Sequence, residues 1–384
     1  MTRTAAVAVV GGGVIGASVA YHLALKGMRD VVILDQGIKP GEGSTGKATG
    51  GFRAQFATSI NVRLSLESRE RLINFKDETG IDSGYNPVGY LWIAYDDRQL
   101  SALRNARTVQ VAGGLAEAIE LDPNDVAGLN PFIETRGIVG GAFCPSDGYI
   151  EPLQILRGFL EAGERLGVQS SWGTRVTGFE SRGSRIHRIR TSDGDIDAEF
   201  VVNAAGPWAS GVAAQAGVTL PVTPLRRQAA VTEPVTSISP QMPMTIFMDT
   251  GFHFRPRHGR ALLCWPTPDD KHVAGEVDEE WVRSVRAMTE ERVPALREVA
   301  IDRSRCYSGL YEMSPDHHAI VGFAAERENM FLVNGSSGHG VMHSPALGAF
   351  AAEVICGDAP STDLHELRPS RFAEGKAIAT TELL

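Results

Sequence analysis

The chain has 384 residues, 43% hydrophobic and 22% charged, which is enough apolar material for the cores of two domains. Its 37 basic and 46 acidic residues leave a net charge of −9, which gives no general attraction for nucleic acid or an anionic membrane surface. The four cysteines (Cys144, Cys264, Cys306, Cys356) are too widely spaced for a disulfide framework or a chelating pair, free thiols fit a reducing cytoplasm, and no apolar run approaches the roughly 20 residues that span a bilayer.

Residues 5–10 are an almost unbroken apolar run, the pattern of a central parallel strand. The chain turns through 11–16, and the small and apolar residues of 17–26 predict a buried helix that Gly27 ends. A second apolar strand, 31–34, closes on Asp35 and completes a βαβ unit. A glycine-rich loop fills 41–51. Helical character follows over 61–78, a strand over 88–95 and a helix over 99–112. Ile155, Leu156, Phe159, Leu160, Gly163 and Leu166 share one helical face. Strands at 184–191 and 195–202 flank Asp193-Gly194, a hairpin signal, and the second runs into Asn203-Ala204-Ala205-Gly206. Residues 221–300 hold many prolines and alternating segments, such as 229–232 and 261–265, and read as an antiparallel sheet. A buried strand at 330–333, a loop at 334–340 and a helix at 346–356 capped by Gly357 complete the chain.

The expected fold class is therefore α/β. A Rossmann-like dinucleotide domain from residues 1–85, 141–220 and 305–384 interleaves with a substrate domain of mostly antiparallel sheet from 86–140 and 221–304.

Gly11-Gly12-Gly13-Val14-Ile15-Gly16 is a GxGxxG between a strand and a helix. Its glycines permit the tight turn, close approach to a pyrophosphate and close helix packing, while the helix N-terminus faces the phosphate charge. Asp35, about twenty residues on, is placed to accept ribose hydroxyls. The motif does not separate FAD from NAD. The loop Gly43-Ser44-Thr45-Gly46-Lys47-Ala48-Thr49-Gly50-Gly51-Phe52-Arg53 is too long for a simple turn, and its hydroxyls and amides suit a pyrophosphate and a flavin ring.

That loop, Asn203-Ala204-Ala205-Gly206-Pro207-Trp208 and Gly335-Ser336-Ser337-Gly338-His339-Gly340-Val341-Met342 resemble, in order and spacing, three motifs of the D-amino-acid oxidase superfamily. The likeness is to sarcosine oxidases, glycine oxidase and the β subunits of heteromeric sarcosine oxidase and proline dehydrogenase, and it runs along essentially the whole chain. The resemblance implies an FAD-binding domain of the D-amino-acid oxidase type. The FAD contacts it implies are Gly11, Gly13, Val14, Ile15, Gly16, Asp35, Gln36, Gly43, Ser44, Thr45, Lys47, Ala48, Thr49, Gly50, Gly51, Val176, Ala204, Ala205, Gly206, Trp208, Gly309, Ser337, Gly338, His339, Gly340, Val341 and Met342. The 335–342 loop and the following helix N-terminus are implied to face the flavin N1/C2 carbonyl edge, where negative charge develops on reduction. Arg53 matches the position whose guanidinium binds a substrate carboxylate, a planar fork suited to that group; the alternative is an arginine at the surface or facing the pyrophosphate. His253 and Arg255, alternating along one strand, are implied to reach the site from one face, which equally suits a solvent face.

Three departures from the family bear on chemistry. Gly309 stands where some members tether flavin through cysteine, so FAD is expected to be non-covalent. Met342 replaces a lysine beside the substrate carboxylate. Cys264 falls where a lysine assists oxygen reduction, which favours a protein or quinone acceptor over O2. The implied activity is oxidation of the C–N bond of a small amine or amino acid by hydride transfer to flavin N5. The alternatives are oxidation of a 2-hydroxy acid, with His253 or His339 as base, and a flavin-binding subunit inert without its partner. His317-His318 read as surface residues. No metal-binding pattern is present, and neither nucleic acid nor a membrane is expected as partner.

Overall fold

A computed structural model describes residues 3–266 and 272–379. The parts of the expected domains at 1–2, 267–271 and 380–384 lie outside the described residues. In chain order the main elements are β1 (Arg3–Val10), α1 (Val14–Leu25), β2 (Val31–Asp35), β3 (Gly51–Phe52), α2 (Ser59–Ile73), α3 (Phe75–Thr79), β4 (Tyr90–Ala94), α4 (Asp97–Ala112), β5 (Ile119–Leu121), α5 (Pro123–Leu129), β6 (Gly140–Cys144), β7 (Gly148–Tyr149) and α6 (Pro152–Arg165). They continue with β8 (Gln169–Trp172), β9 (Val176–Arg182), β10 (Arg185–Thr191), β11 (Ile196–Asn203), α7 (Ala209–Gln215), β12 (Thr223–Val231), β13 (Met244–Phe247), β14 (His253–Arg257), β15 (Arg260–Cys264), α8 (Glu279–Arg292), β16 (Tyr307–Met313), β17 (Ile320–Phe323), β18 (Met330–Asn334) and α9 (Gly340–Cys356).

The first sheet runs β17-β18-β11-β1-β2-β8, parallel from β18 to β8, with the β9–β10 hairpin attached to β11. Side-chain alternation divides its central strands between two cores. Val7, Val9, Val31 and Ile33 pack under α1, α6 and α9, whereas Ala8, Val10, Val32 and Leu34 pack toward α7 and the hairpin. Strands covered on both faces need the near-continuous apolar runs that the sequence carries. Helices α1 and α9 cross so closely that a Cβ on Gly348 would lie 2.1 Å from Ser18 Oγ. That hydroxyl donates to Ser344 O at 2.7 Å. Burial of Val19, Leu23 and Leu347 at this contact stabilises the fold by roughly 1.5–3 kcal/mol each.

The second sheet runs β16-β12-β15-β14-β13-β4-β6-β5 and is antiparallel except where β13 meets β4. Leu91, Ile93 and Phe247 point into a core closed by α8 through Trp281, Val282 and Val285. The alternate residues Tyr90, Trp92, Met244 and Ile246 point the other way, into the cavity described below. This sheet takes in β6 and β16, which run beyond the C-terminal ends of the two stretches expected to supply it.

Several local expectations change. Residues 279–292, read within an antiparallel sheet, form α8; its face at Trp281, Val282, Val285 and Thr289 and its acidic first turn are helical signals obscured by the neighbouring prolines. The helix expected over 61–78 breaks at Asn74 into α2 and α3. The last helix begins at Gly340 rather than 346, with Pro345 inside it. The carbonyl of Val341, which would bond a residue-345 amide, accepts from Ser344 Oγ at 2.8 Å instead, which tolerates the proline. His318 is not at the surface: it is buried, and its Nε2 lies 3.0 Å from Thr58 Oγ1. None of the described helices is long and apolar enough to cross a membrane.

Candidate active site

A cavity of about 940 Å³ extends from the C-terminal ends of β1 and β2 to the inner face of the second sheet. Its first end is shaped by glycine. Gly11 has φ +109°, and a Cβ there would lie 2.3 Å from Ala204 O; a Cβ on Gly12 would meet the Trp172 ring at 2.6 Å. Helix α1 starts at Gly13, which has no side chain to cap it, and its N-terminal end borders the cavity. Asp35 Oδ2 accepts from the Gly12 amide at 2.6 Å and Oδ1 from Gly37 at 2.7 Å, which fixes the turn and leaves lone pairs for hydroxyl donors.

The long loop closes over this end. Thr45 Oγ1 accepts from the Val14 amide at 3.1 Å and ties the loop to the start of α1. From the second sheet, Arg255 Nη1 donates to Thr49 O at 3.0 Å and Gly50 O at 2.6 Å, with its guanidinium 3.8 Å over the Tyr149 ring. Arg257 Nη1 donates to Ala48 O at 3.2 Å. The cofactor candidates named from the sequence line the cavity, except Gly16 and Gly50. Gly16 packs against the Gly11 carbonyl, where a Cβ would lie at 1.9 Å, and the Gly50 carbonyl faces Arg255. At Gly309 a Cβ would lie 2.7 Å from Lys47 Cβ, so Lys47 occupies the space a side chain there would need.

Arg53, His253, His339 and Met342 line the other end, while Arg255 serves as a brace behind the loop. Arg53 is buried; Nη1 donates to Gln55 O at 2.7 Å, Nη2 lies 3.3 Å from His339 Nε2, and the guanidinium stacks 3.8 Å over Phe56. Burial lowers its pKa to about 10, which keeps it charged at neutral pH. His339 precedes the first turn of α9, and burial followed by the Arg53 charge holds it well below the ordinary histidine range. His253 Nδ1 lies 2.9 Å from Gly251 O; a carbonyl only accepts, so Nδ1 carries the proton and Nε2 keeps its lone pair. Burial lowers this histidine too, so both imidazoles are neutral. Cys264 is pushed up to about 12 by burial and contributes no charge.

Sequence reasoning missed Tyr90 and Trp92, Met244 and Ile246, and Tyr311 and Glu312 in the cavity wall. The first two pairs were signalled by strand alternation with no polar partner to mark a wet face. Tyr311 and Glu312 lie on β16, where Glu312 accepts from the Ser336 amide at 3.2 Å and is pushed up to about 7 by burial.

A family model described as "FAD dependent oxidoreductase" matches residues 6–354. The chain is 28% identical over 399 residues to FAD-dependent oxidoreductase domain-containing protein 1 of Xenopus laevis, covering 91% of this chain and 78% of that protein. It is 28% identical over 390 residues to mitochondrial sarcosine dehydrogenase of Mus musculus, covering 97% of this chain and 42% of that protein, so it spans less than half of this relative. Among solved structures, L-proline dehydrogenase from P. horikoshii superposes with a TM-score of 0.91 at 26% identity, covering 98% of this chain and all of that one.

Proposed function

The chain belongs to the FAD-dependent oxidoreductase family, and from that premise we propose that it oxidises the C–N bond of a small amine or N-substituted amino acid bearing a carboxylate. FAD is its cofactor, and the residues present suit that group: the Gly11 and Gly12 cradle has no room for a Cβ, and the N-terminus of α1 favours a diphosphate. Gly11, Gly13 and Asp35 would hold the adenosine and diphosphate portions, the 43–51 loop and Ala204–Gly206 the middle, and Ser337–Met342 the flavin edge. When bound, FAD would supply the redox chemistry by accepting a hydride, one proton with two electrons, from the substrate carbon.

The observation that carries the substrate class is the buried Arg53 guanidinium in the wall of the same cavity. Its planar fork would bind a carboxylate and orient the adjacent C–N bond. Its positive charge would also disfavour an ammonium beside it, so the amine binds neutral and needs no strong base. Tyr90, Trp92, Met244 and Ile246 would enclose the substrate's apolar part and exclude water. The sarcosine dehydrogenase relative supports an N-methylated substrate, and the proline dehydrogenase likeness a cyclic secondary amine. The neutral Cys264 supports a protein or quinone acceptor over O2. A 2-hydroxy acid is the second reading, favoured by the free Nε2 lone pair of His253 as a base.

Purified protein loaded with FAD and mixed anaerobically with sarcosine, proline, other N-methyl amino acids and 2-hydroxy acids tests this reading. Bleaching of the flavin band by an amine supports it; bleaching by hydroxy acids alone replaces it with the second. Air admitted afterwards reports whether oxygen reoxidises the flavin.

A further inference from the structure

Arg53 lies in a segment, residues 53–58, that is neither helix nor strand, yet a carboxylate anchor must be held to within a fraction of an ångström. The group that fixes this segment is remote in sequence. Asp147, on the turn between β6 and β7, is fully buried. Its Oδ1 accepts from the Ala54 amide at 2.7 Å, and its Oδ2 from Gln55 Nε2 at 3.1 Å. The same Nε2 donates to Tyr90 O at 3.0 Å, and Gln55 O accepts from Arg53 Nη1 at 2.7 Å. Asp147 is itself anchored, because its carbonyl accepts from the Gly89 amide at 2.7 Å. Asp147 and Gln55 thus join the Arg53 segment to the edge of β4, whose Tyr90 and Trp92 line the cavity.

We propose that Asp147 is a positioning residue for Arg53, whose ionised carboxylate holds the Ala54–Gln55 backbone so that the guanidinium stays aimed at a substrate carboxylate. This inference rests on the reading of Arg53 as the carboxylate anchor.

Both Asp147 oxygens face donors, so protonation removes the charge that strengthens both bonds and takes up one acceptor lone pair, which loosens the clamp. Burial raises this carboxyl to about 6, which brings the break within an accessible pH range. The other titratable groups facing Asp147 are Arg53 on the clamped segment, Tyr85 and Tyr90 at and before β4, and Cys144 on its own turn. Burial raises both phenols and the thiol, leaving them neutral near pH 6, so the aspartate and the arginine are the charges in play. Beyond Ser146, Arg69 and Glu117 pair with each other at 2.7 Å.

The test uses FAD-loaded protein and two probes, trifluoroacetate, which stays ionised throughout, and its uncharged isostere trifluoroacetamide. Binding is read from the shift in flavin absorption. At pH 8, Asp147→Asn should weaken trifluoroacetate by roughly tenfold, about 1.4 kcal/mol, and leave trifluoroacetamide, FAD content and melting temperature unchanged. Wild-type affinity for trifluoroacetate should fall relative to the variant's as pH drops through about 6, the Glu312 titration being common to both. In turnover, KM for a carboxylate substrate should rise with little change in kcat. If Asp147→Asn does not fold, Gln55→Met, which removes the side-chain arm of the clamp, should give the same selective weakening. Unchanged trifluoroacetate binding in these variants, with weakening in Arg53→Lys, would overturn the inference and leave the anchor reading standing. Unchanged binding in Arg53→Lys as well would overturn both.

Discussion

Replacing Arg53 with methionine should separate function from stability. Arg53 is 6% exposed, and the drop of its pKa to about 10 means burial costs the charge roughly 3 kcal/mol. Against this stand the charge-assisted hydrogen bond to Gln55 O, worth about 1.5–3 kcal/mol, and stacking over Phe56, worth about 1–2 kcal/mol. These nearly cancel, so the methionine variant should melt within a few degrees of wild type. A substrate carboxylate held by charge-assisted hydrogen bonds would lose about 1.5–3 kcal/mol for each, so kcat/KM should fall by roughly 100-fold or more. The assay is steady-state turnover of an N-methyl amino acid beside its amide, with melting curves on the same samples. A similar loss for acid and amide, or a collapse in melting temperature, would refute the reasoning by making Arg53 structural.

Other outcomes follow from the geometry. Because Gly309 has no side chain to form a tether and Lys47 fills the space one would need, FAD should be held without a covalent bond there, and acid precipitation should leave all flavin in the supernatant; flavin remaining on the pellet contradicts this. Gly348→Ala drives a methyl group into Ser18 at the α1–α9 crossing and should destabilise by about 1–3 kcal/mol, measured by urea unfolding, with little effect on turnover at low temperature. His22 and His343 are buried, with folded pKa lowered from 6.5 to about 3, so the unfolded chain takes up protons that the folded one refuses. Their contribution to stability should therefore be full above pH 6.5 and fall from there toward 3, so acid unfolding curves of His22→Gln should lose less stability than wild type over that window.

The central strand, the glycine turn and Asp35 were legible because a strand covered on both faces and a backbone touching a diphosphate each leave few residue choices. Other features depend on partners distant in the chain. Arg255 follows the expected strand alternation, but its long side chain carries the guanidinium to the Thr49 and Gly50 carbonyls, a destination no local pattern encodes. Pro345 reads as a helix stop, and only the Ser344 hydroxyl on the Val341 carbonyl shows why it is not. The clamp on Arg53 needs Asp147, 93 residues beyond Ala54, and spacing along the chain gives no sign that the two meet.

The central claim, that FAD in this cavity takes electrons from a C–N bond beside an Arg53-bound carboxylate, is tested most directly by a matched pair of substrates. N-methylalanine and lactate carry the same three-carbon acid and differ in the heteroatom on the α-carbon. Mixed separately and anaerobically with the FAD-loaded protein, N-methylalanine should bleach the flavin band and lactate should not. Bleaching by lactate alone would contradict the account and make the protein a hydroxy-acid dehydrogenase with His253 as its base.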